Sequence, residues 1–164
     1  MMHTRSRSLV ARIRDTRGTN LLEAAIMTPL LVMLTFAIVD FASLFYVYLA
    51  LENGVSQASR YGVTGNQMTD PANPTQFLSR QDSIKTAMRQ ATPTLTIADS
   101  AFTFNHMATG GSTWVAGTGG AGDIEKVTVN YTWDIITPIM RPFFPGGQIH
   151  FTVDSAMKNE PRFQ

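Results

Sequence analysis

Residues 21–51 read LLEAAIMTPLLVMLTFAIVDFASLFYVYLAL, and 25 of these 31 residues are apolar. Glu23 and Asp40 are the only charges in the stretch, so the sixteen residues from Ala24 to Val39 carry none. As an α-helix, sixteen residues cover about 24 Å, slightly less than the roughly 30 Å hydrocarbon core of a bilayer. Continuing through Phe41 to Leu51 makes the helix long enough to cross, but places Asp40 inside the bilayer or at its edge. Past Asp40 the pattern turns one-sided. Phe41, Leu44, Phe45, Tyr48, Leu51, Val55 and Ala58 recur at helical spacing, and Glu52, Asn53, Gln57 and Arg60 take the other face. The expectation is one helix from Thr19 to Tyr61, about 65 Å long, embedded in the membrane at its start and kinked or loosened at Pro29, where a hydrogen bond is lost.

On the N-terminal side the charge changes sign. The 13 Lys+Arg and 12 Asp+Glu of the 164 residues leave a formal charge of +1, which argues against a nucleic-acid binder of the basic-patch kind. Residues 1–18, however, hold Arg5, Arg7, Arg12, Arg14 and Arg17 against Asp15, a charge of +4, so residues 19–164 carry 8 basic and 11 acidic groups, or −3. Lys and Arg next to a spanning helix are retained in the cytoplasm. The five Arg therefore orient the chain, with its N-terminus cytoplasmic and everything after about Leu51 exported. A secretory leader shows the same polarity, but no Ala-x-Ala-like site follows an apolar core of about 7 to 15 residues, and the apolar stretch is too long. Removal after the apolar region is the weaker reading.

On the C-terminal side, Gly62, Gly65, Asp70-Pro71 and Asn73-Pro74 end the helix and form a loop. A second helix is expected from Thr75 to Ala91, with Thr75 as N-cap, Phe77, Ile84, Met88 and Ala91 on one face, Asp82 paired with Lys85, and Pro93 as the stop. Three strand-like runs follow: Ala101 to Met107, Ile124 to Ile136 and Ile149 to Met157. In the middle one Val127, Val129, Tyr131, Trp133 and Ile135 alternate with polar residues, the mark of an antiparallel sheet with one buried face. The fold class is α+β: a long N-terminal membrane-spanning helix, then a small domain with one short helix and about three antiparallel strands. Its divisions are a basic leader (1–18), the long helix (19–61) and an exported domain (62–164).

Catalytic chemistry finds little support. The chain has no Cys, which removes disulfide scaffolds, thiol catalysis and Cys-built zinc sites, and three scattered His make a metal site hard to assemble. Residues 117–122, GTGGAG, match G-x-G-x-x-G, yet a dinucleotide loop follows a strand and opens a helix, whereas here a strand follows. A flexible connector from Thr109 to Gly122 is the better reading. His106 and His150 lie on expected strands with no Ser, Asp or Glu at telling spacing. No catalytic residue, metal or cofactor is expected, and the sequon at Asn130 lies inside a strand.

The informative constellation is Gly18-Thr19-Asn20-Leu21-Leu22-Glu23. The Gly-x4-Glu spacing alone says little, since Gly120 to Glu125 repeats it. Only the first copy has Arg17 directly before it, a basic arm upstream and the apolar helix within three residues. A membrane-embedded processing protease needs those conditions: a small residue that admits the scissile bond, and a helix that anchors the substrate beside it.

From Arg17 to about Gly65 the sequence resembles the TadE-like minor pilins or pseudopilins of the tight-adherence (Tad or Flp, type IVc) pilus. The resemblance rests on Arg17-Gly18, Glu23-Ala24-Ala25, Pro29-Leu30-Leu31, Ile38-Val39-Asp40-Phe41, Leu44 to Tyr48, Leu51-Glu52-Asn53 and Ala58 to Tyr61. It departs in having Ala24 where an aromatic often follows the Glu, and Ala42-Ser43 where Gly-Arg is frequent. The resemblance implies a pilin-like subunit whose leader is cut after Gly18 by a prepilin peptidase, leaving Thr19 as the mature N-terminus. It also implies partners: that peptidase, other minor pilins, the major pilin and the inner-membrane platform.

An unpaired carboxylate near a helix terminus in lipid costs on the order of 2.5 to 3.5 kcal/mol, so Glu23 calls for a partner. Cleavage creates one class of candidate, the α-ammonium group of Thr19, and the resemblance implies pairing with a neighbouring subunit's terminus; the alternative is a Glu23 that sits among the headgroups with no role. Asp40 lies about 25 Å further along the same helix, as an interfacial carboxylate or as a polar contact to another pilin or the platform. The alternative to a pilin is an unprocessed single-pass protein that presents a binding domain outside the membrane.

Overall fold

The computed structural model describes residues 16–161. Arg5, Arg7, Arg12 and Arg14 lie outside them, as does the side chain of Arg17. The described chain divides after Val39 into two units.

The first unit is the start of helix α1 (Thr16–Gly62). From Gly18 to Val39 every side chain is exposed except the half-buried Ala37. Apolar residues thus face outward all round, which is stable only if lipid or another protein replaces water. Helical structure continues through Pro29, whose missing N–H leaves the Ala25 carbonyl without its donor. The hydroxyl of Thr35 is absorbed within the helix, donating to the Leu31 carbonyl at 2.8 Å.

The second unit, from Asp40 onward, packs the rest of α1 and helix α2 (Arg80–Ala91) with a four-stranded sheet. The strands are β1 (Phe102–Met107), β2 (Val115–Ala116), β3 (Ile124–Asp134) and β4 (Gln148–Lys158), in the order β2-β1-β3-β4 with every pairing antiparallel. The register sets Phe104 opposite Val127 and Val129 opposite Val153, all four buried. Against them pack Val47, Leu51, Val55 and Ala58 of α1 and Ile84 and Met88 of α2. Burying Leu51, Ile84 or Met88 completely contributes about 1.5–3 kcal/mol each.

The α+β architecture is the expected one, with differences in detail. The sheet has four strands, because Val115–Ala116 pairs with Asn105 and His106 inside the segment read as a connector. The middle strand stops at Asp134, and Ile136 is exposed beyond it. Helix α2 begins at Arg80 with Ser79 as N-cap, its Oγ accepting from the Asp82 N–H at 3.1 Å. Thr75 lies instead in a turn closed by Asp70 N–H to Gln76 O at 2.9 Å and by the Thr69–Phe77 bridge, which leaves Phe77 exposed. The expected Asp82–Lys85 pair is present at 3.0 Å. On α1 the buried stripe is Asp40, Val47, Leu51, Val55 and Ala58, with Leu44 half-buried, while Phe41, Phe45 and Tyr48 are exposed. Leu44, Leu51, Val55 and Ala58 of the expected apolar face thus pack inward, whereas Phe41, Phe45 and Tyr48 do not, because apolar residues occupy both faces there and Val47 takes their place against the sheet.

Candidate processing and assembly site

Gly18, Thr19 and Glu23 sit in the exposed first turns of α1. A Cβ added at Gly18 would meet nothing within 4 Å, so the chain itself does not require glycine there. Four residues separate Thr19 from Glu23, which sets them on one helical face. Among the described residues no hydrogen bond or ion pair engages the Glu23 carboxylate. Leu22, Ile26, Leu30, Leu34 and Ile38 are each more than half exposed. The helix from Gly18 is long and apolar enough to cross a membrane.

Asp40 has a different setting. It is 7% exposed, and its Oδ1 accepts the backbone N–H of Thr137 at 3.2 Å, whereas Oδ2 has no hydrogen-bond donor. Its partner is thus found within its own domain. The structure does not bring Asp40 and Glu23 together, since they lie seventeen residues apart on one helix.

The residues that sequence reasoning passed over form a buried polar cluster. Arg80 donates to Gly62 O at 2.9 and 3.1 Å, to Gly119 O at 2.8 Å, and to Glu125 Oε2 and Asn159 Oδ1 at 2.9 Å each. Asn159 Nδ2 in turn donates to Thr118 O and Gly120 O at 3.2 and 2.8 Å. One guanidinium therefore ties the end of α1, the start of α2, the centre of the sheet and the glycine-rich segment. The carbonyls of 118–120 are occupied in this way, so the G-x-G-x-x-G match is a pinned structural turn rather than a loose connector. Gly119 has φ +67°, and a Cβ on it would lie 2.7 Å from the His106 Cβ. Burial pushes the Glu125 carboxyl above the usual carboxylate range, with the Arg80 charge and hydrogen bond pulling the other way. Strand parity contained the signal: Glu125 shares the inward face with Val127 and Val129, and a buried carboxylate demands a cation. Among the described residues no group of three or more His, Asp or Glu is arranged to hold a metal ion.

A family model described as TadE-like protein matches residues 18–60. The matched segment opens at Gly18, contains Glu23, Pro29 and Asp40, and closes within the last turns of α1. No curated protein and no solved structure matches the chain.

Proposed function

We propose that this TadE-like chain is a minor pilin or pseudopilin of a Tad-type adhesion pilus, cut between Gly18 and Thr19 and assembled through its N-terminal helix. The observation that carries the reading is the coincidence of three boundaries. The TadE-like match starts at Gly18, the basic run ends one residue earlier at Arg17, and the apolar run of α1 begins three residues later at Leu21. Prepilin peptidase would add water across the Gly18–Thr19 peptide bond, giving a Gly18 carboxylate and a Thr19 α-ammonium group. The +4 leader is then discarded, having held the N-terminus in the cytoplasm while the domain was exported across the inner membrane. The mature subunit of 146 residues carries −3.

Removal of the leader also supplies what Glu23 lacks. A carboxylate in lipid costs several kcal/mol unless paired, and the new ammonium group of an adjacent subunit is a cation at the right depth. Pairing of this kind converts the cost into a register signal, because a displaced neighbour leaves both charges unmatched. The partners in this reading are the peptidase, the other minor pilins, the major pilin and the inner-membrane platform.

The test is intact mass and N-terminal sequencing of the chain expressed with active prepilin peptidase. The expected product begins at Thr19. Gly18→Leu should block cleavage, whereas Glu23→Ala should be cut and assemble poorly. Recovery of a chain that begins at Met1 or Met2 would leave the unprocessed single-pass protein as the correct reading, and normal pili from Glu23→Ala would remove Glu23 from assembly.

A further inference from the structure

The connection between β3 and β4, residues 135–147, reads IITPIMRPFFPGG, with Arg141 as its one charge. Half of it faces inward: Ile135 and Thr137 are buried, and Met140 and Phe144 pack against the core. The other half is Ile136, Ile139 and Phe143, exposed at 56%, 51% and 64% and flanked by exposed Pro138 and Pro142. Local bonds hold this segment in shape. Met140 N–H donates to Thr137 O at 3.0 Å, Phe143 N–H to Met140 O at 3.1 Å, and Arg141 Nε to Ile135 O at 3.0 Å. A fixed patch of large apolar side chains on the surface marks a contact with something other than water.

Its position identifies that contact. The Thr137 N–H bond to Asp40 Oδ1 fastens the connection to the first residue after the sixteen uncharged residues of α1. Those sixteen fall about 6 Å short of the hydrocarbon thickness, a gap that Leu21 to Glu23 on one side or Phe41 onward on the other makes up, so Asp40 and the residues just beyond it lie at the boundary of the bilayer. Phe41, Phe45 and Tyr46 are each more than half exposed on that stretch, and aromatic side chains are favoured at membrane interfaces. A bare Asp40 at the same depth would be costly. Enclosed by its own domain, it no longer faces lipid.

The geometry points to a second membrane contact: Ile136, Ile139 and Phe143 form a foot that seats in the outer interface of the bilayer from which α1 emerges. Arg141 is exposed, and its guanidinium, anchored through Nε to Ile135 O, is the group to meet lipid phosphate. This inference rests on α1 spanning the membrane, but not on cleavage at Gly18.

Because the chain has no Cys, single labels are straightforward to place. The full chain is reconstituted at one copy per phosphatidylcholine/phosphatidylglycerol nanodisc, with an environment-sensitive fluorophore at Phe143→Cys, Ile139→Cys, Gln67→Cys or Leu34→Cys. Lipids brominated near the headgroup should quench positions 139 and 143 and leave exposed position 67 unaffected, and lipids brominated deeper should quench position 34. If position 34 is quenched while 139 and 143 respond only to an aqueous quencher, the foot is wrong and the span stands. If position 34 is not quenched, both fall. Shielding of position 143 that appears only with two copies per disc would assign the patch to a neighbouring subunit and overturn the lipid contact.

Discussion

Arg80 Nη2 lies 2.9 Å from Glu125 Oε2, joining the first turn of α2 to an inward position of β3 with the two side chains 11% and 1% exposed. Such a pair contributes little over an apolar substitute, yet removing one partner leaves a buried charge unmatched and costs about 3–5 kcal/mol. Arg80→Ala should show a loss in that range, because the carbonyls of Gly62 and Gly119 lose their donor as well. The double replacement Arg80→Met with Glu125→Leu should cost less than Arg80→Ala alone. Urea unfolding of the detergent-solubilised chain, followed by the fluorescence of buried Trp133, measures both.

The same carboxyl makes stability depend on pH. Glu125 has its pKa raised in the folded state, chiefly by burial, so the fold binds its proton more tightly than the unfolded chain does. That contribution is complete below the unfolded value of about 4.3 and is lost as pH rises through the raised folded value. Glu125→Gln lacks it. The variant should therefore gain on the parent as pH increases from about 4 toward neutrality. Asp82, Asp99 and Asp123 act in the opposite sense, since hydrogen bonds from Ser79, Arg89 and the Gly120 N–H hold their carboxyls below the usual range. They are present in both proteins and cancel in the difference. A Gln variant that falls further behind as pH rises would mean that Arg80's attraction outweighs burial.

Helix α2 offers a test of its boundary. Ser79 Oγ accepts the Asp82 N–H and donates to Asp82 Oδ2 at 2.6 Å, so Ser79→Ala should cost about 1 kcal/mol. Thr75→Ala should cost much less, because the Thr75 hydroxyl bonds only the exposed side chain of Asn73. Thermal unfolding of the two single variants decides between the positions.

These cases show what could be read from residues alone. Alternation over Val127 to Trp133 located the central strand and its buried face, because period two has few competing explanations. The uncharged run from Ala24 to Val39 located the exposed helix for the same reason. The start of α2 is not legible locally, because Thr75 and Ser79 both precede helix-compatible residues and the choice between them depends on the Thr69–Phe77 bridge, a pairing that no local pattern shows. On α1, apolar residues on both faces hid the buried stripe until the sheet was present to select it. Arg80, Asn159 and Glu125 lie far apart in sequence, and their cluster exists only through the fold.

Gly54 reports on the packing of the two helices. In an exposed helix interior, replacing Gly by Ala gains about 1 kcal/mol. Here the added Cβ would lie 2.5 Å from Thr92 Cγ2 and 3.4 Å from two atoms of Met88. Overpacking of this kind costs about 1–3 kcal/mol, so Gly54→Ala should be neutral to destabilising despite its better propensity. Thr92→Ser removes the clashing methyl and keeps the hydroxyl bonded to Met88 O. The double variant should therefore recover stability relative to the sum of the single changes, a coupling that a double-mutant cycle reads directly.

Asp40 separates a folding role from an assembly role. Thr137 is 8% exposed, and its N–H donates to Asp40 Oδ1. Asp40→Leu leaves that donor buried and unpaired, which costs about 1–3 kcal/mol. Asp40→Asn keeps an oxygen in the same place and removes a buried negative charge whose Oδ2 has no donor. It should fold at least as well as the parent. Measuring unfolding and pilus formation for both variants then distinguishes the roles. If the carboxylate serves only its own domain, Asp40→Asn assembles normally and Asp40→Leu fails in proportion to its lost stability. If its charge is also read by another subunit, Asp40→Asn folds normally and still assembles poorly, an outcome that no loss of folding accounts for.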